Sequence, residues 1–522
     1  MTRPEAAQLA AGRPLDVAII GGGINGCAIA LEGARRGLRV ALFEQSDFGF
    51  GTTWRSTKLI HGGLRYLEHG DVRLVFESLR ERAWLLRTQP HLVSPQRFLL
   101  PVLPWTRRPA WQLRAGLTMY DLLALYRGVP RHRRLSRPAL KADAPFLPAN
   151  SDGGFAFYDA RVRSPERLAL ELALEARRYG ATVLNHAAVR GIGVRGGHVA
   201  GVRFEADGES FEVATRTVIN AAGPWVDVVN ELTGGNPPDL LGVTRGTHIV
   251  LELDRELPKD AIFSTAKSDG RVFFAVPQDG LLLVGTTDER YDGDPGAVRP
   301  TREDVDYLLE EARELLPGFG PSREQVRYAY AGLRPLQRMR GGPEAAISRR
   351  HVVVDHAKQG GPLGLYSIVG GKLSTFRPLA REAIDRVGDG VPVVPPHSAK
   401  LPPWRETLRS AGFGATERAH LRIYGDAVSE VLQRGEDVLC PHRPALTGEV
   451  RYAAESELVV TLSDILMRRT DIAWASCRGL CCHRKAAELA APILGWDADE
   501  VDRQVRAFEA DVEYHLPGVD CL

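Results

Sequence analysis

Residues 16–30 read DVAIIGGGINGCAIA, and the fold of the chain is decided here. The apolar residues before Gly21 are typical of a buried parallel strand that ends in a sharp turn. The glycines fit the G-x-G-x-x-G pattern at Gly21, Gly23 and Gly26, where a helix should begin. Such a turn lets the backbone approach a pyrophosphate and lets the helix pack closely on the strand. The stretch therefore predicts a dinucleotide-binding strand–helix–strand unit.

The residues after this turn support the same unit and favour one cofactor. Residues 28–37 are helical in pattern, and the apolar run 39–44 ends in Glu44, an acid placed to accept a hydrogen bond from a ribose hydroxyl. We find no second nicotinamide-type fingerprint. The stretch 51–68, GTTWRSTKLIHGGLRYLE, returns toward the cofactor soon after Glu44 and offers the extra protein surface that an isoalloxazine ring requires. This pattern favours FAD over NAD.

The bulk composition is that of an ordinary globular protein. The 522 residues are 44% hydrophobic and 25% charged, which is enough for a large core. A net charge of +2 is too small to indicate nucleic acid as a partner. Six cysteines without a disulfide-like spacing, and an N-terminal stretch without a signal-peptide pattern, predict a cytoplasmic location. No apolar run is long enough to predict a membrane-spanning helix.

The pattern of predicted elements changes along the chain. A helix at 164–179 and strands at 182–184 and 217–223 continue the nucleotide-binding framework, whereas strand-like runs between 247 and 285 indicate an inserted antiparallel sheet. The stretch GVPVVPPHSAKLPP is typical of a linker. We expect an oxidoreductase region at 1–390, with FAD-binding segments at about 14–90, 150–234 and 346–390. The capping and membrane-facing segments of this region are expected at about 91–149 and 235–345. A linker at 391–403 and a helical domain at 404–522 should follow.

One stretch of the chain, residues 97–137, is strongly basic. It contains nine arginines, at positions 97, 107, 108, 114, 127, 131, 133, 134 and 137, against one acid, Asp121. Within it lies PAWQLRAGLTMYDLLALY, residues 109–126, which is rich in aromatic and aliphatic side chains. Arginines beside such a segment suit the interface of an anionic membrane. The alternative is a core helix beside a solvated basic loop, and composition alone leaves both open.

A cysteine-rich stretch, SCRGLCCHR, could indicate a metal. It holds Cys477, Cys481, Cys482 and His483. On the helix that we predict here, this spacing matches no zinc or iron–sulfur pattern. We therefore expect buried structural cysteines and no metal.

Several stretches together resemble the FAD-dependent glycerol-3-phosphate dehydrogenases of the aerobic, quinone-linked type. They are IIGGGINGCAIA (19–30), GTTWRSTKLIHGGLRYLE (51–68), INAAGPWVD (219–227), RGTHIVLE (245–252), VGTTDERYDGDP (284–295), YAGLRPL (330–336), VGGKLSTFRPLA (369–380) and, in the tail, LSDILMRRTDIAW (462–474). The resemblance implies an α/β + α fold of the glycine/D-amino-acid oxidase type. It has a Rossmann-like FAD domain, an antiparallel-sheet substrate-capping domain and a helical C-terminal domain.

The resemblance also implies a substrate pocket built from cations. Substrate-binding residues are expected at Arg65, Tyr66, Arg334, Arg349 and Lys372, with Arg350 as the alternative to Arg349. A guanidinium can donate two hydrogen bonds to two phosphate oxygens, although each cation could instead pair with a protein carboxylate. The expected catalytic residues are His248 as general base, with His61 as its rival, and Arg334 as the group that stabilises the developing alkoxide.

Non-covalent FAD is implied by the same resemblance. The cofactor-binding residues are expected to be Gly21, Gly23, Ile24, Asn25, Gly26, Glu44, Thr52, Thr53, Lys58, Leu59, Ile60, His61, Val189, Gly223, Gly371, Lys372, Leu373 and Ser374. Residues 371–374 should open a helix whose N-terminus stabilises negative charge on the flavin. The pair Trp54 and Arg55 replaces small residues found there in some relatives, so details around the flavin should differ.

The function implied by the resemblance is the oxidation of sn-glycerol 3-phosphate to dihydroxyacetone phosphate. The flavin N5 accepts a hydride, and the electrons pass to a membrane quinone, so we expect a peripheral protein on the inner face of the cell membrane, with a homodimer as a possible assembly. An oxidase that reduces oxygen to hydrogen peroxide is the alternative, although the capping region lacks a large insertion. The cysteine-rich module of the anaerobic type is missing as well. An FAD-stabilised scaffold or binding protein is the non-enzyme alternative.

Overall fold

The computed structural model describes residues 3–235, 237–338, 350–387 and 404–518. The first part of the chain forms α1 (Arg3–Ala11), β1 (Val17–Ile20), α2 (Ile24–Arg35), β2 (Val40–Phe43), β3 (Leu59–Ile60), α3 (Val72–Thr88), β4 (Val93–Pro101), α4 (Ala110–Leu123), β5 (Arg133–Leu135), α5 (Arg137–Asp143), β6 (Gly154–Val162), α6 (Pro165–Arg178) and β7 (Thr182–Leu184).

The remaining elements follow in chain order. The middle part forms β8 (Ala187–Arg195), β9 (His198–Ala206), β10 (Glu209–Ala214), β11 (Val218–Asn220), α7 (Val226–Glu231), β12 (Leu241–Leu251), β13 (Ala261–Thr265), β14 (Val272–Gln278), β15 (Leu281–Gly285), β16 (Glu289–Arg290), α8 (Arg302–Leu315), β17 (Val326–Gln337), β18 (Val352–Asp355), β19 (Leu365–Val369) and α9 (Phe376–Asp385). The last part forms α10 (Trp404–Ser410), α11 (Ala415–Leu421), α12 (Val428–Gln433), β20 (Val438–Cys440), β21 (Arg443–Leu446), α13 (Thr447–Ser456), α14 (His483–Leu494) and α15 (Ala498–His515).

A six-stranded sheet in the order β18-β19-β11-β1-β2-β7 forms the centre of the first layer. Its central strands pair in parallel, and β1, β2, β7 and β11 are buried at every residue because helices and a second sheet cover both faces. Helix α2 packs between α6 and α9. The strand–helix–strand unit predicted from residues 16–44 is therefore confirmed.

A larger sheet lies beside the first one. It contains β3 to β6 and β12 to β17, and nearly all of its pairs are antiparallel. The inserted antiparallel sheet is thus confirmed, but it begins earlier in the chain than expected. Strand β6, placed by the sequence with the FAD-binding segments, pairs with β4 along nine residues and so belongs to this capping sheet.

The C-terminal part is mostly helical, as predicted, with one short hairpin, β20–β21. Its residues pack into one apolar cluster with the capping sheet, in which Leu466 and Trp474 meet Tyr328 and Tyr330. The linker expected at 391–403 lies outside the described residues. None of the described helices is both long and apolar enough to cross a membrane.

The fold predicts opposite effects for two glycines that lie inside helices. A Cβ at Gly26 in α2 would lie 1.8 Å from the carbonyl oxygen of Gly21, so Gly26→Ala must push the helix off the strand. We expect a loss of about 1–3 kcal/mol in unfolding free energy, together with loss of bound flavin.

A matched control exists in α4. A Cβ at Gly116 would meet no described atom within 4 Å, so Gly116→Ala should stabilise the protein by about 0.5–1 kcal/mol. Denaturant unfolding and the flavin-to-protein absorbance ratio measure both variants. Equal stability of the two variants would contradict the close helix–strand contact.

Candidate active site

A long cavity runs along the carboxyl ends of the parallel strands. Gly21 follows β1, Glu44 follows β2, Ala221 follows β11 and Gly370 follows β19, and all four line the cavity. Ligands of open α/β sheets bind in such a crevice. The cavity is therefore the expected cofactor site of this fold.

The glycine turn and Glu44 shape the wall of the cavity near β1 and β2. Gly21 has a φ of 106°, which favours glycine, and the amide of Gly22 donates to Glu44 Oε2 at 2.6 Å. The amide of Ser46 donates to Glu44 Oε1 at 2.8 Å, and burial raises the pKa of this carboxyl group. Two backbone amides thus fix the acid beside the cavity, where it can accept a ribose hydroxyl.

The residues around the cavity fit a flavin dinucleotide. The side-chain oxygen Oδ1 of Asn25 is buried and has no hydrogen-bond donor among the described residues, so it can accept a bond from a bound group. Gly23 caps the N-terminus of α2, beside Asn25, where backbone amides can face a pyrophosphate. Gly371 has a φ of 101°, and its backbone lies against Asn25 where a side chain would crowd it.

Most of the cofactor residues predicted from the sequence line this cavity. They are Gly21, Gly23, Ile24, Asn25, Glu44, Thr52, Thr53, Val189, Gly223, Gly371, Lys372 and Leu373. The cavity also has lining residues that the sequence did not single out: Gln45, Phe50, Ser56, Trp225 and Pro335. Trp225 was within reach of prediction, because it lies in the quoted stretch INAAGPWVD.

The other predicted cofactor residues lie away from the cavity wall. Gly26 packs against Gly21, and Leu59 and Ile60 form β3, which pairs with β6. His61 is partly buried just beyond this strand, and Ser374 is buried before α9. The helix expected to open at 371–374 begins at Phe376 instead, after a turn whose two glycines, residues 370 and 371, have positive φ.

Lys58 is placed in a different cavity. Its backbone has a φ of 58°, and its Nζ lies 3.2 Å from the ring centroid of Trp474, in a small cavity that Tyr328 and Tyr330 also line. Burial lowers the pKa of Lys58 to about 8, although Glu166 opposes the effect. Nζ has no hydrogen-bond acceptor among the described residues, so the aromatic ring is its main support.

His248 lies in β12, where the capping sheet contacts residues 56 and 57 beside the cofactor cavity. Its Nε2 is hydrogen-bonded to the hydroxyl of Thr57 at 2.9 Å, and its ring is stacked on Tyr330 at 5.0 Å. Burial first, then the charges of Arg334 and Lys58, lower the pKa of His248 to about 3. The imidazole is therefore neutral at physiological pH, and its buried Nδ1 has no partner among the described residues.

Arg334 lies on the neighbouring strand, β17, directly before the cavity-lining residue Pro335. Its guanidinium donates to Asp288 at 3.0 Å and to the hydroxyl of Thr286 at 2.9 Å. It also passes over Gly246, where a Cβ would lie only 2.2 Å from Nη2. Arg334 is thus held beside His248 by an ion pair with Asp288. From the sequence, pairing with a protein carboxylate is the alternative to phosphate binding for each cation.

Lys372, which lines the cofactor cavity, is in contact with Tyr66. The Nζ of Lys372 lies 3.7 Å from the ring centroid of Tyr66 and donates to the hydroxyl of Ser78 at 3.3 Å. Arg65 precedes Tyr66 in the 3₁₀ turn Leu64–His69, but its side chain is outside the described part of the structure, as is all of Arg349. The described residues therefore bring together Tyr66 with Lys372, and His248 with Arg334.

The fold and the cavity define an FAD-dependent oxidoreductase. A family profile described as "FAD dependent oxidoreductase" matches residues 16–375, and one described as "C-terminal domain of alpha-glycerophosphate oxidase" matches residues 403–501. The chain is 35% identical to a glycerol-3-phosphate dehydrogenase of Synechocystis sp., over 97% of this chain and 98% of the relative. It is 34% identical to one of Mycobacterium leprae, over 95% of this chain and 88% of the relative.

A solved structure agrees with these relatives over the full length. The glycerol-3-phosphate dehydrogenase from Bacillus halodurans, complexed with FAD, superposes with a TM-score of 0.78 at 28% identity and covers 100% of this chain and 98% of that one. The chain belongs to the FAD-dependent glycerol-3-phosphate dehydrogenase family. The fold, the FAD cofactor and the enzyme class expected from the sequence are confirmed.

The low pKa of His248 predicts how stability depends on pH. In the unfolded chain this histidine takes up a proton near pH 6.5, whereas in the native protein it stays neutral down to about pH 3. The unfolded state therefore binds more protons in this window, and stability falls as the pH decreases from 6.5 toward 3. His248→Asn should reduce that fall by up to about 1.4 kcal/mol per pH unit.

Urea unfolding of the flavin-loaded protein at several pH values between 7.5 and 4.5 measures this slope. His198→Asn, at an exposed histidine on the β9 strand, is the matched control and should leave the slope unchanged. An identical slope in the wild type and the His248 variant would show that the buried imidazole is not kept neutral.

Proposed function

We propose that the protein oxidises sn-glycerol 3-phosphate to dihydroxyacetone phosphate and passes the electrons to a membrane quinone. The observation that carries this proposal is the buried neutral His248 with the charge of Arg334 beside it, on a strand that leads into the cofactor cavity, where Lys372 supplies a second cation. A dianionic substrate with a secondary alcohol requires these two features together. The names of the relatives in the family agree with this substrate.

In the proposed site, the cations bind the phosphate and set the position of the carbinol. Arg334 presents a planar fork held by Asp288, and Lys372 adds a point charge above Tyr66. We propose that Arg65 and Arg349 complete the phosphate site. Because Lys372 also lines the cofactor cavity, the same side chain can set the distance between substrate and flavin.

The proton of the substrate hydroxyl has one proposed acceptor, His248. Its Nε2 is held by Thr57 and its ring by Tyr330, so Nδ1 is the nitrogen without a described partner. The phosphate dianion offsets the charge of Arg334 when substrate binds, and this raises the basicity of the imidazole. Arg334 stabilises the developing alkoxide. FAD, when bound, supplies the hydride acceptor at N5.

The proposed membrane contact rests on helix α4. Leu117 and Tyr120 are buried, whereas Trp111, Met119 and Leu122 are exposed, with 69% of Trp111 accessible. Leu125 and Tyr126 extend the exposed apolar surface just after the helix. A soluble protein rarely exposes a group of large apolar residues of this kind without a binding role.

The charges around this surface fit an anionic bilayer. Exposed arginines flank the apolar residues at positions 107, 108, 114, 127, 131, 133, 134 and 137, and Arg131 lies 3.9 Å from the ring centroid of Tyr126. Arginines attract anionic headgroups while the aromatic rings enter the interface. A protein resting on the bilayer in this way has access to a lipid-soluble quinone on the cytoplasmic side.

The proposed substrate site predicts a specific defect for Lys372→Met. Loss of the ammonium group should lower kcat/KM for glycerol 3-phosphate about 10- to 100-fold, because one charge-assisted hydrogen bond is lost. The exposed Lys358→Met is the control and should behave as the wild type. Flavin absorbance verifies that FAD stays bound in both variants.

Anaerobic addition of glycerol 3-phosphate tests the reaction itself. We expect the flavin absorbance to bleach and to return on addition of a menaquinone or ubiquinone analogue. Flavin that stays oxidised with the substrate present would contradict the proposal. Rapid return of the absorbance with oxygen, with stoichiometric hydrogen peroxide, would assign the protein to the oxidases instead.

The membrane proposal predicts weaker lipid binding for the double variant Trp111→Ser/Leu122→Ser. Removing two large apolar side chains should weaken binding to phosphatidylglycerol vesicles at least about tenfold, while flavin reduction by substrate is unchanged. Leu363→Ser, at an exposed leucine elsewhere, is the control. Equal sedimentation of all three proteins with the vesicles, or none even at low salt, would exclude α4 as the contact.

A further inference from the structure

Four of the six cysteines in the chain meet at one point of the C-terminal domain. Cys440 comes from the β20–β21 hairpin, and Cys477, Cys481 and Cys482 come from the turn before α14. The Sγ atom of Cys440 lies 3.7 Å from that of Cys477 and 3.6 Å from that of Cys481, and the last two are 3.3 Å apart. Three sulfur atoms thus form a nearly equilateral triangle.

The size of this triangle is that of a tetrahedral zinc site. With Zn–S bonds of about 2.3 Å and tetrahedral angles, two thiolates of one site are about 3.8 Å apart. A disulfide would require one sulfur pair to stand out at a much shorter separation, whereas here the three separations are similar. The arrangement therefore favours three cysteine ligands to one metal ion over a disulfide between two of the cysteines with the third left free.

His442, at the tip of the hairpin, is the first candidate for a fourth ligand. Cys440 ends β20 and pairs with Arg443, so Pro441 and His442 form the two-residue turn. A ring nitrogen of His442 and the sulfurs of Cys477 and Cys481 lie within 4.8 Å of one another. The hairpin thus brings Cys440 to both of the other sulfurs, and the His442 ring to the side of the triangle formed by Cys477 and Cys481.

Cys482 is the competing fourth ligand. Its sulfur lies within 4.8 Å of those of Cys440 and Cys481. However, it is buried and already donates to the carbonyl of Gly479 at 3.6 Å, where it precedes α14. His442 is exposed and has no comparable bond within the described parts of the chain, so its ring can turn onto a metal.

The conformation of the turn that contains Cys477 and Cys481 explains why the sequence does not predict that their sulfur atoms converge. The sequence predicts a helix here, but the helix begins only at His483. Arg478 and Gly479 both have left-handed backbone, with φ of 53° and 80°, and they bend the chain so that the two flanking sulfurs converge. Spacing alone does not reveal this, and Cys440 is 37 residues before its partner.

We propose that Cys440, His442, Cys477 and Cys481 bind one zinc ion in a closed structural site. Thiolate and imidazole ligands in a tetrahedron select zinc among the common divalent ions, and four protein ligands leave no open position for a substrate. The ion would join the hairpin to the turn before α14. Trp474 lies three residues before Cys477, and its ring centroid is 5.3 Å from that of Tyr330 on β17. The proposed zinc ion would therefore fix the end of the segment that packs on β17.

Elemental analysis of the flavin-loaded enzyme, purified under reducing conditions, is the first test. We expect about one zinc per chain, retained through dialysis. Cys440→Ser, Cys477→Ser and His442→Ala should each lower it at least tenfold under the same dialysis. Cys482→Ser is the matched control and should retain the zinc.

A second measurement separates metal loss from misfolding. In wild-type protein loaded with Co²⁺, we expect cobalt ligand-field bands at longer wavelengths than the flavin bands, with the intensity of a tetrahedral site that contains thiolates. Removal of the metal from folded wild type by a strong chelator should lower the Tm by several degrees while the flavin stays bound. Re-addition of Zn²⁺ should restore the Tm.

Three outcomes would overturn the proposal. Wild type that binds less than about a tenth of an equivalent of zinc, even after incubation with Zn²⁺ and with all four thiols titratable, has no such site. A disulfide among these cysteines in the reduced preparation replaces the metal by a covalent bond. Loss of zinc in Cys482→Ser together with retention in His442→Ala makes the stated ligand set wrong.

Discussion

The buried carboxylate of Asp47 holds the C-terminal domain against the cofactor domain. Arg469 donates to both of its oxygens, at 2.5 and 2.9 Å, and Arg468 donates at 2.6 Å. Although burial opposes it, the charges of Arg469 and Arg468 keep the pKa of Asp47 below its usual value. Removing one partner of such a pair strands a buried charge and typically costs about 3–5 kcal/mol. Asp47 lies three residues after Glu44, which lines the cofactor cavity, so the helical domain is fixed directly on the segment that follows β2.

The segment that follows Arg468 and Arg469 connects these ion pairs with the proposed reaction centre. Trp474 follows Arg469 by five residues, donates to Glu166 at 3.1 Å, and packs edge-on against Tyr330. Tyr330 in turn stacks on His248 and donates to the carbonyl of Ser56, which lines the cofactor cavity. A helical domain that looks peripheral in the sequence therefore sets the walls around the proposed base. Among the described residues 404–518, none lines the cofactor cavity, and the contact with the proposed base runs through Trp474 and Tyr330.

The sequence predicts what is decided locally and by type of residue. The turn at Gly21, the acid at Glu44 and the βαβ order follow from short-range geometry, so dinucleotide binding and the strand–helix–strand unit can be inferred from them. The position of Lys58 cannot, because it depends on a ring more than 400 residues later, Trp474. The grouping of Cys440 with Cys477 fails for the same reason, since it requires a hairpin and a left-handed turn to meet. Resemblance supplied Lys372 and Tyr66, but not the ring contact between them.

The glycine pair in KLIHGGLRYLE shows how the proposed membrane face and the substrate loop are joined. The amide of Gly62 donates to the hydroxyl of Tyr120 at 2.8 Å, and that hydroxyl donates to Asp159, which Arg82 also holds. A Cβ at Gly62 would lie 2.6 Å from the same hydroxyl, so only glycine lets this contact form.

Tyr120 is on the inner side of α4, opposite the exposed apolar residues, and Tyr66 lies four residues after Gly62. Helix α4, which meets lipid in the proposed function, thus carries on its other side the hydrogen bond that holds Gly62, just before the 3₁₀ turn Leu64–His69. Binding to a bilayer leaves this buried side untouched, because Tyr120, Asp159 and Arg82 are all closed to solvent. The proposed contact of α4 with a membrane is therefore compatible with the observed contact between Tyr66 and Lys372.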